Sequence, residues 1–159
     1  MKKTVTTSIE ETKKLARDIA SEFKGGEVVA LVGDLGAGKT TFTQGIAEYF
    51  GVREHVSSPT FALINEYKIT KTQKLKTKKA LKKIIHIDCY RLDSPEELVE
   101  IGIEDYFNRD DVVILIEWAE KVKDILPKQT RWIRFEHNEN EKENERIVSI
   151  NAQLTGVTH

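Results

Sequence analysis

The chain has 159 residues, of which 39% are hydrophobic and 32% are charged, and its formal net charge is -1. This length suits a single domain with its own core, and the near-zero charge excludes a uniformly basic nucleic-acid binder. The one cysteine, Cys89, cannot form an internal disulfide, and the N-terminal segment has no apolar stretch typical of a signal peptide. The longest run of Val, Ile and Leu, residues 112–116, is far shorter than the roughly 20 residues of a membrane helix. We therefore expect a cytoplasmic protein.

The N-terminal third predicts a helix, a strand, a glycine-rich turn and a second helix. Residues 8–11, Ser-Ile-Glu-Glu, have the form of a capping box, and apolar residues recur every four positions behind them. We predict that this first helix ends at Gly25. Residues 27–32 are a short apolar run typical of a buried strand, and residues 39–50 have the apolar spacing of a helix.

The middle of the chain predicts a hairpin, a capped helix and a central strand. Residues 61–69 and 84–92 both predict strands, joined by a segment without apolar periodicity. Residues 94–97, Ser-Pro-Glu-Glu, predict a helix start with an N-cap serine. The continuous apolar run 112–116 is typical of a parallel strand buried on both faces.

The tail predicts a last hairpin, formed by residues 132–135 and 147–150 around an acidic loop. The order of elements favours an α/β fold, with a mixed sheet that has a parallel core and antiparallel hairpins and is flanked by helices. We interpret residues 1–159 as one domain with a lysine-rich hairpin insertion at about 68–85.

Residues 33–40, Gly-Asp-Leu-Gly-Ala-Gly-Lys-Thr, match the phosphate-binding pattern G-x-x-x-x-G-K-[ST] between a predicted strand and a predicted helix. In such a loop, backbone N–H groups and the helix N-terminus face the phosphates. Lys39 is expected to reach the β- and γ-phosphates, Thr40 to bind Mg²⁺, and Thr41 to bond the α-phosphate. The predicted nucleotide-binding residues are Asp34, Leu35, Gly36, Ala37, Gly38, Lys39, Thr40 and Thr41.

A P-loop protein also needs an acidic residue at the end of a neighbouring strand to hold the metal ion. Glu117 directly follows the apolar run 112–116, and we predict it as the second Mg²⁺ ligand with Thr40. The alternative is a surface glutamate that happens to end a strand. The chain contains neither N-K-x-D nor D-x-x-G, which disfavours a GTPase, so ATP is the expected nucleotide.

Five segments follow one another as they do in the bacterial TsaE family, and they read GDLGAGKTTF (33–42), SSPTFALINEY (57–67), HIDCYRL (86–92), SPEELVEIGIEDYF (94–107) and VVILIEWAE (112–120). The chain resembles this family, the ATPase of tRNA threonylcarbamoyladenosine biosynthesis, over about residues 8–150. The resemblance implies a P-loop α/β fold, binding of ATP with Mg²⁺, and hydrolysis that is slow alone and faster with partners. The implied partners are the two related subunits that transfer the threonylcarbamoyl group to an adenosine next to the tRNA anticodon. The resemblance implies no transfer activity for the chain itself.

The resemblance assigns catalytic roles to Lys39, Asp88 and Glu117. Asp88, in HIDCYRL, resembles the family aspartate proposed to orient or activate the attacking water. The alternative is a structural aspartate tied to a neighbouring turn or to Lys39. Thr60 either approaches the metal or γ-phosphate or belongs to an ordinary turn. For Trp118, core packing is favoured over a place beside the nucleotide.

His86, Asp88 and Cys89 resemble a metal-binding cluster only superficially. On a strand His86 and Asp88 share one face while Cys89 points to the other, so the three do not converge on one zinc ion.

Residues 68–85 contain eight lysines and no acidic residue, so the rest of the chain carries -9. This long segment departs from the short turn of the family. The favoured interpretation is a solvated hairpin that protects an exposed sheet edge, and the alternative is a backbone contact with tRNA. Residues 93–111 carry eight acidic side chains and one arginine. This segment is either a solvent face or a docking surface for a basic partner.

Two other functions remain possible from the sequence. One is a small-molecule P-loop kinase, although no arginine-rich lid is evident. The other is a nucleotide-gated binding module with negligible hydrolysis, in which Asp88 and Glu117 only hold the metal.

Overall fold

A computed structural model describes residues 2–59, 61–71, 80–139 and 144–151 of the chain. The strands are β1 (Lys2–Thr6), β2 (Val28–Val32), β3 (Ile64–Lys68), β4 (Lys83–Asp88), β5 (Val112–Glu117), β6 (Arg131–His137) and β7 (Arg146–Ile150). The helices are α1 (Ile9–Ala20), α2 (Lys39–Tyr49), α3 (Glu96–Glu100) and α4 (Ile103–Phe107), with a 3₁₀ helix over Ala119–Ile125.

The seven strands form one mixed sheet in the order β1-β7-β6-β2-β5-β4-β3. Its core is parallel, because β2 pairs in parallel with β5 and β6, and β5 pairs in parallel with β4. Every residue of β2 and β5 is buried, as expected for apolar strands covered on both faces. The predicted fold class is confirmed.

The two faces of the sheet are covered by different helices. Alternate residues of β2 face opposite ways, so Val29 and Leu31 pack in one apolar cluster with α1 and α2. Val28 and Ala30 pack in a second cluster with α3, α4 and the 3₁₀ helix. Because β2, β5 and β4 pair in parallel, their carboxyl ends lie at the same edge of the sheet.

Both predicted hairpins are antiparallel pairs, β3 with β4 and β6 with β7. The first strand of the hairpin begins at Ile64 rather than at residue 61, because Leu63 has a left-handed backbone with φ 65°. The edge strand β1 pairs with β7 and was not predicted. Its sequence, KKTVT, has no apolar face that would indicate a strand.

The extent predicted for the first helix was wrong. Helix α1 ends at Ala20, not at Gly25, although Phe23 beyond it is buried in the core. The glycine turn passes so close to Asp110 that a Cβ at Gly25 would lie 2.2 Å from the Asp110 carbonyl oxygen.

The helix start predicted at residues 94–97 is confirmed, because α3 begins at Glu96, but its N-cap is Pro95 rather than Ser94. This helix is short, and Gly102, with φ 85°, separates it from α4.

The base of the lysine-rich insertion is described, whereas residues 72–79, with four of its eight lysines, lie outside the described residues. At the base, Lys83 pairs with Glu66 at 2.7 Å, and Lys82 approaches Asp111 at 3.5 Å. These lysines meet acidic residues of the chain itself.

Candidate nucleotide-binding site

The predicted phosphate loop joins β2 to α2, with α2 beginning at Lys39. Gly33, Gly36 and Gly38 all have positive φ, at 148°, 75° and 110°. At Gly33 a Cβ would also lie 2.4 Å from the carbonyl oxygen of Phe135, so any larger residue would clash with backbone. The glycines therefore permit both the curl of the loop and its close packing against β6.

The side chain of Lys39 is buried within this loop. Its ammonium donates to the carbonyl oxygens of Gly33 and Asp34, the latter at 2.8 Å, and lies 4.2 Å from the ring centroid of Trp118. Burial lowers the pKa of Lys39, and Glu117 is the largest of the acidic neighbours that oppose this shift. The loop thus holds a partly desolvated cation that an anionic ligand would stabilise.

Thr40 and Glu117 meet at the sheet edge, as their predicted shared role requires. The Thr40 hydroxyl donates to both carboxylate oxygens of Glu117, at 2.9 and 3.1 Å. The Glu117 side chain is 3% exposed, which excludes the alternative of a surface glutamate. On the other side of the carboxylate, Nε2 of His86 lies 2.8 Å from Glu117 Oε1. The sequence reasoning considered His86 only for zinc and missed this contact.

Asp88 lies beside Glu117, because the two residues are in register across β4 and β5. Its Oδ1 accepts from the backbone N–H of Tyr90 at 2.9 Å, and its Oδ2 accepts from the hydroxyl of Ser58. The carboxylate is therefore oriented by a neighbouring turn, and its charge lies near the Lys39 ammonium.

The zinc interpretation has no support in the described ranges, where no group of three or more His, Cys, Asp and Glu residues could hold a metal ion. Cys89 is buried, and burial raises the pKa of its thiol to about 12. It is therefore a neutral core residue at physiological pH.

Two cavities adjoin the phosphate loop. The first, of about 280 Å³, is lined by most of the loop together with Ser58, Asp88, Tyr90, Glu117 and Trp118. The second, of about 480 Å³, shares Gly36, Gly38 and Thr41 with the first and extends towards Thr7, Ser8, Thr12 and Arg146. Thr41 stands between the two cavities, so an elongated ligand could pass over the loop from one to the other.

Most predicted binding residues line the first cavity, namely Leu35, Gly36, Gly38, Lys39, Thr40 and Thr41. Ala37 is instead buried in the core beneath the loop. Asp34 lines a separate groove, and its carbonyl oxygen contributes to the site by accepting a hydrogen bond from Lys39. The Thr60 prediction falls on a residue outside the described part of the chain.

Trp118 does more than pack in the core. It has a left-handed backbone, with φ 55°, and its ring lies 5.0 Å from that of Tyr90 between centroids. One part of the side chain packs against the second apolar cluster, while another lines the cavity beside Lys39. The side chain therefore packs in the core and also lines the cavity that the phosphate loop borders.

A glycine-rich loop between a buried parallel strand and a helix, with a buried acidic residue at the end of the adjacent strand, defines a P-loop NTPase-like protein. Residues 6–148 match the family model described as threonylcarbamoyl adenosine biosynthesis protein TsaE. The chain belongs to the TsaE family.

Individual relatives agree with this assignment. The chain is 42% identical to the tRNA threonylcarbamoyladenosine biosynthesis protein TsaE of Rickettsia conorii, over 90% of this chain and 74% of that protein. It is 43% identical to the TsaE of Haemophilus influenzae, over 78% of this chain and 72% of that protein. The crystal structure of YdiB from Bacillus subtilis superposes with a TM-score of 0.70 and 32% identity, covering 94% of this chain and 83% of YdiB.

None of the helices in the described ranges has the length and apolar character needed to cross a membrane.

Proposed function

We propose that the chain is an Mg²⁺-dependent ATPase that acts as an accessory subunit in tRNA threonylcarbamoyladenosine modification. The observation that carries the proposal is the contact of the Thr40 hydroxyl with the buried Glu117 carboxylate, directly beside the Lys39 ammonium. A P-loop site needs these three groups together to hold a metal–nucleotide complex. The pathway is inferred from the two relatives, both of which are tRNA threonylcarbamoyladenosine biosynthesis proteins.

We place the phosphates of ATP in the first cavity and its nucleoside in the second. Lys39 is the only side-chain cation that lines the first cavity in the described ranges, so the charge of the β- and γ-phosphates belongs there. Thr41 borders both cavities, which is consistent with a bond to the α-phosphate. The polar walls of the second cavity, including Thr7, Ser8 and Arg146, would surround the ribose and base.

The donor set fits Mg²⁺. Thr40 and Glu117 provide a hydroxyl and a carboxylate oxygen, and Mg²⁺ is typically held by one or two protein oxygens together with substrate phosphates and water. When bound, the ion would neutralise the charge that develops on the phosphates.

In this proposal, Asp88 orients the attacking water. Its two hydrogen bonds, from Tyr90 and Ser58, fix the carboxylate on the wall of the first cavity. Phosphoryl transfer depends mainly on positioning and on charge stabilisation, so an oriented acceptor beside the γ-phosphate is sufficient for this role. Lys39 would stabilise the negative charge of the transferred group.

We further propose that the two related transferase subunits stimulate hydrolysis and that the protein works in the cytoplasm. Two exposed apolar side chains line the first cavity. Leu35 is 76% exposed and Tyr90 is 45% exposed. A partner subunit that covered the mouth of this cavity would bury both side chains, which favours association. The single buried thiol is consistent with a reducing compartment.

The test measures ATP hydrolysis with and without the cognate transferase subunits and tRNA. We expect weak activity alone, stimulation by the subunits, and loss of both in Lys39→Ala. Lys14→Ala, an exposed lysine of α1, is the matched control and should behave as wild type. Rapid phosphorylation of a metabolite would support a kinase instead, and nucleotide binding without single-turnover hydrolysis would support a binding module.

A further inference from the structure

His86 is a buried polar residue that contacts Glu117, one of the two predicted metal ligands. Its side chain is 0% exposed and does not line the nucleotide cavity. It lies on β4, where the sheet register places it opposite Leu115 of β5 and Asn65 of β3. Its closest ring neighbour in the described chain is Tyr67, at 6.2 Å between centroids. A histidine in this position cannot contact a nucleotide directly.

The contact between His86 and Glu117 has a defined direction. A carboxylate that is to bind a cation is ionised, and an ionised carboxylate only accepts hydrogen bonds. Nε2 of His86, at 2.8 Å from Oε1, must therefore donate. The geometry therefore places a proton on Nε2. Nδ1 has no hydrogen-bond partner within the described ranges.

The two oxygens of Glu117 are consequently not equivalent. Oε1 accepts from both His86 and Thr40, at 2.8 and 2.9 Å, whereas among the described residues Oε2 accepts only from Thr40, at 3.1 Å. Thr40 can bind a metal ion through a lone pair of its oxygen while its proton remains on the carboxylate. His86 lies on β4, outside the phosphate loop, so its contact holds Oε1 independently of Thr40.

We propose that His86 is a positioning residue that holds Glu117 Oε1 and thereby directs Oε2 towards the metal ion of the nucleotide complex. The inference rests on the proposed function, because it takes Glu117 as part of a Mg²⁺ site. Hydrogen bonds to metal-binding carboxylates fix their orientation, and loss of such a partner typically lowers metal affinity about 10- to 100-fold.

The first experiment compares wild type, His86→Leu and His86→Gln. Leucine fills the space without a donor, while the glutamine amide can place an N–H near the position of Nε2. ADP binding is measured by calorimetry in EDTA and over a range of Mg²⁺ concentrations, and thermal unfolding reports the fold. Ser149→Ala is the control, because Ser149 is also buried on a strand of the sheet and its hydroxyl has no hydrogen-bond partner among the described residues.

We expect the half-saturating Mg²⁺ concentration to rise about 10- to 100-fold in His86→Leu, with ADP affinity in EDTA unchanged. His86→Gln should recover most of the loss, and Ser149→Ala should match wild type. A folded His86→Leu protein with wild-type Mg²⁺ dependence overturns the inference, as does an equal loss of ADP affinity in EDTA. If the ADP affinity of wild type does not depend on the Mg²⁺ concentration, the proposed function itself is contradicted.

A second measurement uses wild-type protein and therefore does not depend on whether a variant folds. In wild-type protein labelled with ¹⁵N, long-range correlation spectra distinguish the tautomers of the four histidines. We expect the His86 ring to carry its proton on Nε2, both with and without Mg²⁺ and ADP. A ring that carries its proton on Nδ1 and none on Nε2 would overturn the inference, because Nε2 could not then donate to Glu117.

Discussion

The hydroxyl of Thr40 donates to both carboxylate oxygens of Glu117, although the two residues are separated by 77 positions in the chain. Parallel pairing of β2 and β5 explains the contact, because it places the end of β5 beside the loop that follows β2. The fold itself therefore brings the two predicted metal ligands together.

Glu117→Gln keeps the shape of the side chain but removes its charge. We expect the Mg²⁺ concentration for half-maximal ATP hydrolysis to rise about tenfold or more, because a neutral amide is a poor magnesium ligand. ADP binding in EDTA should be equal or stronger, since a buried negative charge beside the phosphates is lost. Glu100→Gln, on the exposed side of α3, is the control. Unchanged Mg²⁺ dependence would show that Glu117 is not a ligand.

Asp88→Asn should separate binding from hydrolysis. The asparagine retains the size of the side chain and can accept one of the two hydrogen bonds from Tyr90 and Ser58. We expect affinity for ATP to change little and the single-turnover rate to fall about 100-fold, because the group that orients the water is neutralised. A rate equal to that of wild type would assign Asp88 a structural role only.

Gly45→Ala tests the packing of α1 against α2. A Cβ at Gly45 would lie 2.7 Å from both Ala16 Cβ and the Lys13 carbonyl oxygen. Alanine is the better helix former by about 1 kcal/mol, but overpacking a core contact costs about 1–3 kcal/mol. We therefore expect a net loss of stability in urea unfolding. A stabilised variant would mean that the helices can separate without cost.

Asp111→Asn tests a surface ion pair. Arg109 donates to both oxygens of Asp111, at 2.8 and 3.0 Å, and with Lys82 it lowers the pKa of Asp111 to about 2. Because the folded-state pKa lies below the unfolded value of 3.8, the stabilisation is complete above pH 4 and is lost as the pH falls towards 2.

In urea unfolding we expect Asp111→Asn to cost about 1 kcal/mol at pH 7, a value reduced for solvent screening, and clearly less at pH 3. An equal cost at both pH values would assign the loss to packing rather than to charge.

Replacing the lysines of residues 71–79 with serine tests the two interpretations of the insertion. On the favoured interpretation, in which these lysines protect an exposed sheet edge, we expect tRNA association with the complete complex, and its salt dependence, to remain as in wild type. Weaker association with a shallower salt dependence would instead establish contacts with the tRNA backbone.

Local sequence determined the phosphate loop, because the positive φ values of Gly33, Gly36 and Gly38 and the start of α2 depend on residues close together in the chain. It also determined the central strand β5, whose uninterrupted apolar run can be satisfied only between two covered faces. The phosphate loop and β5 therefore followed from short-range pattern.

Only the tertiary structure decided which side chains meet. The edge strand β1 forms because β7 offers it a partner, and α1 stops early so that Phe23 and the glycine turn can pack against the sheet. His86 could not be assigned to Glu117 from spacing, because the two residues lie on different strands and their contact depends on the register of β4 and β5. Pattern within a strand specifies the face of a side chain, whereas its partner is specified by the pairing of strands that are distant in sequence.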